Sequence, residues 1–133
     1  MRAIDTNVLL RLVVEDDPSQ TAVAENFVRD GAWVPLLAVV EVVWVLSTNY
    51  RFKAHNIAGA LEILLDHRQL TFQETDAVAS ALALYRDSPV PGFSDCLMIA
   101  LARKAGHLPL GTFDRRLAKT EGTQLLGGKS AKT

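Results

Sequence analysis

Four acidic residues in this chain fall where a carboxylate can do more than solvate a surface. Asp5 follows a short apolar opening and precedes Thr6-Asn7 and a second apolar run. That is the pattern of a strand, a turn and a helix beginning near Val8, with Thr6 and Asn7 as residues of N-cap type. Glu41 interrupts the longest apolar run, 36–46. Asp95 lies in the first turn of a helix that Ser94 is suited to cap, and Asp114 follows a strand expected over 108–112. Each has an ordinary structural explanation: turn chemistry for Asp5, a salt bridge for Glu41, the helix dipole for Asp95, a cap for Asp114. Their common placement is less ordinary. In a parallel α/β sheet, ligands bind at the carboxyl edge, and Asp5 and Asp114 stand just past strands that end there. Asp95 opens a helix that can approach the same edge, and Glu41 lies less than two turns into the helix leaving the second strand. Acids gathered without matching bases repel one another when empty. Oxygen-only ligands favour Mg²⁺ or Mn²⁺ over zinc, and such a site suits attack of metal-activated water on a phosphodiester.

The elements that must position these acids follow from length and pattern. With 133 residues, 49% hydrophobic and 22% charged, the chain suits one domain with a full core, expected over 1–126, followed by a loose polar tail over 127–133. A net charge of −1 offers no global positive field for nucleic acid, so such a partner must be held by local charge or by metal. Cys96 is the only cysteine, which excludes an internal disulfide and a cysteine-built zinc site and suits a reducing compartment. The opening does not resemble a signal peptide, and the 36–46 run falls short of the roughly 20 residues a membrane span needs. A cytoplasmic protein without membrane attachment is expected.

Along the chain, Asp17-Pro18-Ser19-Gln20 is a helix start, with Asp17 as N-cap and Pro18 at the first helical position. The helix should run to about Arg29, with Ala22, Val23, Phe27 and Val28 on its apolar face, and a second strand should follow at Ala32-Trp33-Val34. The valines of 36–50 favour a strand, but the length of the segment favours a helix. Apolar residues surround nearly every face of that helix, so it should be largely buried and Glu41 with it, in need of a cation, a salt bridge or a proton. Helices over 55–67 and 74–86 flank a third strand at Leu70-Thr71-Phe72, and a last strand is expected over 123–126. His55, His67 and His107 form no pair at ligand spacing. The helix opened by Asp95 should end at Arg103-Lys104-Ala105-Gly106, with cations at its negative end and glycine past its end. Cys96 packs, because no neighbouring histidine activates it. Strands alternating with helices give an α/β fold, with a parallel sheet of about five strands covered on both faces.

Taken together, Ile4-Asp5-Thr6-Asn7, Glu41 in its apolar segment, Phe93-Ser94-Asp95-Cys96-Leu97 and Thr112-Phe113-Asp114-Arg115-Arg116-Leu117 resemble the PIN-domain family. Within it they resemble the ribonuclease toxins of VapBC toxin–antitoxin pairs. The resemblance covers 2–126. It implies a five-stranded parallel sheet, Mg²⁺- or Mn²⁺-dependent endoribonuclease activity on RNA, homodimers, and inhibition by a small antitoxin protein. It also implies a metal site of Asp5, Glu41, Asp95 and Asp114, with Asn7 and Thr112 as polar support. Many members carry an acid or amide where this chain has Gly92, a departure at the substrate side of the third motif. Arg11, Arg103, Lys104, Arg115, Arg116 and Lys119 are candidates to line an RNA groove assembled by dimerisation.

Two other functions fit parts of the pattern. Another phosphate-ester hydrolase would use Asp5 as a phosphorylated nucleophile, but Asn7 stands where a second aspartate would be expected. A catalytically silent PIN-like interaction module would keep the acids for fold or partner binding, but all four are retained.

Overall fold

The strand signals of this chain are short, bracketed by Gly, Pro and polar residues, and the helix signals are long. The folded chain keeps that imbalance. A computed structural model describes residues 1–88 and 92–127. The expected loop at Pro89, Val90 and Pro91, and the expected tail beyond Gly127, lie outside the described residues. Backbone contacts divide the chain into two units, Met1–Thr75 and Asp76–Thr133.

In the first unit, β1 (Arg2–Ala3), β2 (Ala32–Val34) and β3 (Leu70–Phe72) form a parallel sheet in the order β1-β2-β3. The register pairs Ala32 with both Arg2 and Leu70, and Val34 with Phe72. Alternation along a strand sends Ala32, Val34, Leu70 and Phe72 inward and leaves Trp33 and Thr71 exposed. Between β1 and β2 run α1 (Thr6–Arg11) and α2 (Pro18–Val28). The Asp17 side chain accepts from the Gln20 N–H at 3.1 Å, and Pro18 starts α2 as its missing N–H and fixed φ allow. The inward face of α2 is narrower than expected. Ala24 and Val28 are buried, whereas Ala22 and Val23 are exposed and Phe27 is half-buried under the Arg2 guanidinium, 3.8 Å from the ring centroid.

The ambiguous valine-rich segment is helical. α3 (Leu36–Thr48) packs on α1 and on α4 (Ala54–Leu65), and it buries Ala38, Val39, Val42 and Leu46. Those four positions share one side of a 3.6-residue period; Leu37, Glu41 and Trp44 share the opposite side and are exposed. Glu41 is therefore a solvated carboxylate and not the buried charge its apolar neighbours suggested, because packing against α1 and α4 engages only one face of α3. Leu9, Val28, Val34, Val39, Val42, Leu46, Leu61 and Leu64 form the centre of this unit's core.

The second unit holds α5 (Thr75–Asp87), α6 (Phe93–Ala105), β4 (Leu110–Thr112) and β5 (Thr123–Leu125). β4 and β5 pair in parallel, with Leu110 opposite Thr123. Among the described residues all strand pairings are parallel, and the five strands divide into sheets of three and two. Tyr85 of α5 meets Phe93 of α6 edge to face at 5.8 Å, above a core of Val78, Cys96 and Ile99. Gly106 ends α6 in the left-handed region, φ 81°, which a residue with a Cβ adopts only under strain.

Candidate active site

The acids occur as two pairs, one in each unit. In the first, β1 ends as the Ile4 N–H donates to the Trp33 carbonyl at 3.0 Å. The chain then turns directly into α1. Asp5 is the N-cap of this helix: its Oδ1 accepts from the Val8 N–H at 3.1 Å and its carbonyl accepts from the Leu9 N–H. The helix therefore starts two residues earlier than expected, and Thr6 and Asn7 are freed from capping. Thr6 uses that freedom. Its hydroxyl donates to Glu41 Oε1 at 2.7 Å, across 35 residues of sequence. Asp5, Thr6, Asn7 and Glu41, with Val40, Trp44 and Val45, line an open cleft of about 560 Å³.

The second pair is built on the other short sheet. β4 ends at Thr112, whose hydroxyl accepts from the Asp114 N–H at 2.9 Å. Asp114 Oδ1 in turn accepts from the N–H groups of Arg116 (2.8 Å) and Leu117 (3.2 Å), which opens the 3₁₀ turn Leu117–Lys119. Asp5 and Asp114 thus share one device: a carboxylate just past a strand spends Oδ1 on the turn that follows. Neither Oδ2 has a hydrogen-bond partner among the described residues. Asp95 sits in the first turn of α6, with Gly92, not Ser94, at the N-cap position. Burial, and after it the negative charge of Asp114, push the Asp95 carboxyl above its usual range, against a smaller opposing effect of the Gly92 backbone. Burial, and after it Asp95, push the buried Cys96 thiol up to about 11, so it stays protonated and packs as expected.

Among the described residues, no group of three or more His, Cys, Asp or Glu side chains stands at metal-holding spacing. The donors that each pair does supply are carboxylate and hydroxyl oxygens, with no thiolate or imidazole among them. That set suits a hard divalent cation. The cation candidates differ in exposure. Arg103, Lys104, Arg115, Arg116 and Lys119 are exposed. The Arg11 side chain is only 12% exposed and forms an ion pair with Asp16. Arg11 Nη2 donates to the Tyr50 hydroxyl at 3.0 Å, and that hydroxyl donates to Asp16 Oδ2 at 2.9 Å. The guanidinium ties the end of α1 to the loop before α2 and to the loop after α3.

Sequence reasoning passed over three residues here. Thr6 has the type of a helix cap, but a hydroxyl beside an acid at a strand end is itself a signal. Trp44 lies three residues beyond Glu41, on the same helical face, and is 65% exposed. Phe113, next to Asp114, is 76% exposed.

These features define a parallel α/β chain with carboxylates seated at strand ends and a helix start. The family model for the PIN domain matches residues 3–122, and the chain belongs to the PIN domain family. It is similar to a VapC ribonuclease of Aquifex aeolicus (strain VF5), with 24% identity over 124 residues that cover 90% of this chain and 91% of the relative.

Proposed function

We propose that this protein is a divalent-metal-dependent endoribonuclease and the toxin of a toxin–antitoxin pair. The observation that carries the proposal is the second acid pair: a PIN-domain chain keeps the Asp95 carboxyl partly buried beside the charge of Asp114. Crowding of this kind is costly to a metal-free protein and useful to one that binds a cation. The likeness to a VapC ribonuclease supports RNA as substrate and a small antitoxin as partner. Asp5, Glu41, Asp95 and Asp114 would hold Mg²⁺ or Mn²⁺, which supplies charge neutralisation for a phosphodiester and activation of water.

The chain's own residues then have separate tasks. Asp5 and Asp114 are fixed by the turns they cap, which makes them rigid mounts. Thr6 occupies Glu41 Oε1 and so leaves Oε2 to orient the attacking water. Asn7 lines the same cleft and contributes polar support, and Thr112 holds the Asp114 backbone. The exposed cations Arg103, Lys104, Arg115, Arg116 and Lys119 would meet RNA phosphates, and dimerisation would double the charge available. A groove of about 610 Å³ is lined by the apolar Ile4, Val8, Val23 and Phe27 and by the charged Asp5 and Arg11, and an antitoxin segment of mixed apolar and charged character would suit it. No helix among the described residues is long and apolar enough to cross a membrane.

In this mechanism the oxygen of water bonds to phosphorus and the bond to the 3′ oxygen breaks. The products carry a 5′-phosphate and a 3′-hydroxyl, and a 2′-deoxy substitution at the scissile position does not abolish cleavage. The test is cleavage of RNA in Mn²⁺ beside Asp5→Asn, with analysis of the product ends. Thermal stabilisation by Mn²⁺ should be lost in Asp5→Asn and in Asp95→Asn. A 2′,3′-cyclic phosphate product, or full activity in excess chelator, would overturn the mechanism.

A further inference from the structure

Helix α3 carries Glu41 but begins without a cap of its own. Its N-cap position is Pro35, whose ring offers no acceptor to the first turn. The acceptor comes from 37 residues further along the chain: Gln73, directly after β3, takes the Leu36 N–H on Oε1 at 2.8 Å. The Gln73 N–H in turn donates to the Val34 carbonyl at 2.9 Å and extends the pairing of β2 with β3 by one bond. One residue thus grips the chain on both sides of Pro35, at the joint where β2 turns into α3. Gln73 is itself held in a tight turn. Glu74 stands in the left-handed region, φ 59°, uncommon for a residue with a Cβ, and the Thr75 hydroxyl donates to the Phe72 carbonyl at 2.9 Å.

The side-chain bond is worth little to folding and more to aim. Gln73 is exposed, so water replaces a lost acceptor at small cost. Packing fixes α3 only through the face of Ala38, Val39, Val42 and Leu46. Because burial is non-directional, an apolar face resists separation better than it resists rotation of the helix about its axis. Glu41 lies on the opposite, exposed face, where such rotation is felt most. In a helix roughly 10–12 Å across with its side chains, a carboxylate stands about 5–6 Å from the axis, so a rotation of about 10° carries it about 1 Å. The Leu36 N–H lies less than two turns before Glu41, and a hydrogen bond, unlike an apolar contact, has a direction.

We propose that Gln73 is a positioning residue for Glu41: by fixing the start of α3 it sets the rotation of the helix, and so the direction from which the Glu41 carboxylate meets the Thr6 hydroxyl. Thr6 holds that carboxylate at its tip, at 2.7 Å, and Gln73 holds the backbone that carries it. The inference rests on the ribonuclease function proposed above, in which the other oxygen of Glu41 orients the attacking water. All the groups involved belong to the first unit.

The experiment compares the full chain with Gln73→Met, which keeps the length of the side chain and removes the acceptor, and with Gln73→Glu, which keeps the acceptor. The first readout is the ¹³C signal of the Glu41 side-chain carboxyl at neutral pH in chelator, assigned by its loss in Glu41→Gln. Thr6→Val should move this signal, Gln73→Met should move it part of the way in the same direction, and Gln73→Glu should return it. Gln73→Asn, polar but one methylene too short, should act as Gln73→Met does and gives the same reading should the methionine chain not fold. The second readout is RNA cleavage in saturating Mn²⁺. Gln73→Met should lower kcat about 3- to 30-fold, short of the roughly 100-fold that a 1 Å misplacement can cost, with KM unchanged and most of the rate restored in Gln73→Glu. Combined with Thr6→Val, its effect should be smaller than the product of the two separate falls, because both act on one carboxylate. An unmoved carboxyl signal in Gln73→Met or Gln73→Asn overturns the proposal even if the unmodified protein cuts RNA. So does an unchanged kcat in an RNA-cutting chain, or a fall that multiplies in full with that of Thr6→Val. A signal that moves and is restored as described upholds the positioning of Glu41 even if the unmodified protein cuts nothing, in which case the ribonuclease function alone falls.

Discussion

Replacing Thr6 by valine separates the positioning of Glu41 from the stability of the fold. The substitution keeps the β-branched shape at the first position of α1 and removes only the hydroxyl that donates to Glu41 Oε1 at 2.7 Å. Because Glu41 is exposed, water replaces the lost donor, and the cost to folding should be at most about 0.5 kcal/mol, the low end for a hydrogen bond exchanged with solvent. For a chain of this length that is a fall in Tm of about 2 °C. The effect on catalysis should be larger. A glutamate side chain released from one rotamer regains roughly 1.5–2 kcal/mol of conformational entropy, part of which must be lost again in each transition state. A loss of about 1–2 kcal/mol in the transition state corresponds to roughly a 5- to 30-fold fall in kcat/KM.

The assay is steady-state cleavage of a labelled RNA in saturating Mn²⁺, beside a thermal melt of the same preparation. The fall should appear in kcat and not in KM, because Thr6 orients a carboxylate and does not bind the RNA. Thr6→Ser, which restores the hydroxyl, should recover most of the rate. A Thr6→Val chain with unchanged kcat/KM would show that the hydrogen bond positions nothing of consequence. A fall in Tm of more than about 5 °C, with activity following the folded fraction, would make Thr6 a structural residue.

Two further substitutions test the charged groups. Burial and then the charge of Asp114 raise the folded Asp95 pKa above its ordinary 3.8; the stability tied to this group is complete below that value and is lost as pH rises through the folded one. Asp95→Asn should therefore stabilise the chelator-treated protein near neutral pH and flatten this pH dependence, and melts in which it is the less stable there would refute the assignment. Tyr50→Phe removes one partner each from Arg11 and Asp16 and should lower Tm by roughly 3 °C at neutral pH, with RNA affinity unchanged because Arg11 faces inward. Asp16 is held below its usual pKa first by the Tyr50 hydroxyl and then by Arg11; its contribution is present above 3.8 and fades as pH falls through the lowered value, so the gap between Tyr50→Phe and the parent should narrow in acid. A gap independent of pH would refute this.

What the sequence disclosed about this site, and what it withheld, divides by the range of the interaction. Pro18 can only start a helix, so Asp17 had to be its cap. Gly106 and Pro35 bound α6 and α3 by their own conformational limits, and the four acids were legible because their chemistry requires their type. The start of α1 was not legible. Asp5, Thr6 and Asn7 are all good caps, and the choice falls to Asp5 because β1 ends where Ile4 bonds to Trp33, a partner far along the chain. Glu41 was misjudged for the same reason: the apolar residues of α3 surround it in sequence, but only contacts with α1 and α4 decide which side is covered. Arg11 carries the same charge as Arg115, and nothing local separates the one held by Asp16 and Tyr50 from the one in solvent. The groups that position the site, Thr6 for Glu41 and Tyr50 for Arg11, reach partners 35 and 39 residues away. A local pattern can therefore name the carboxylates but not the hydroxyls that aim them, and this asymmetry is why the decisive substitutions are at Thr6 and Tyr50 as much as at the acids.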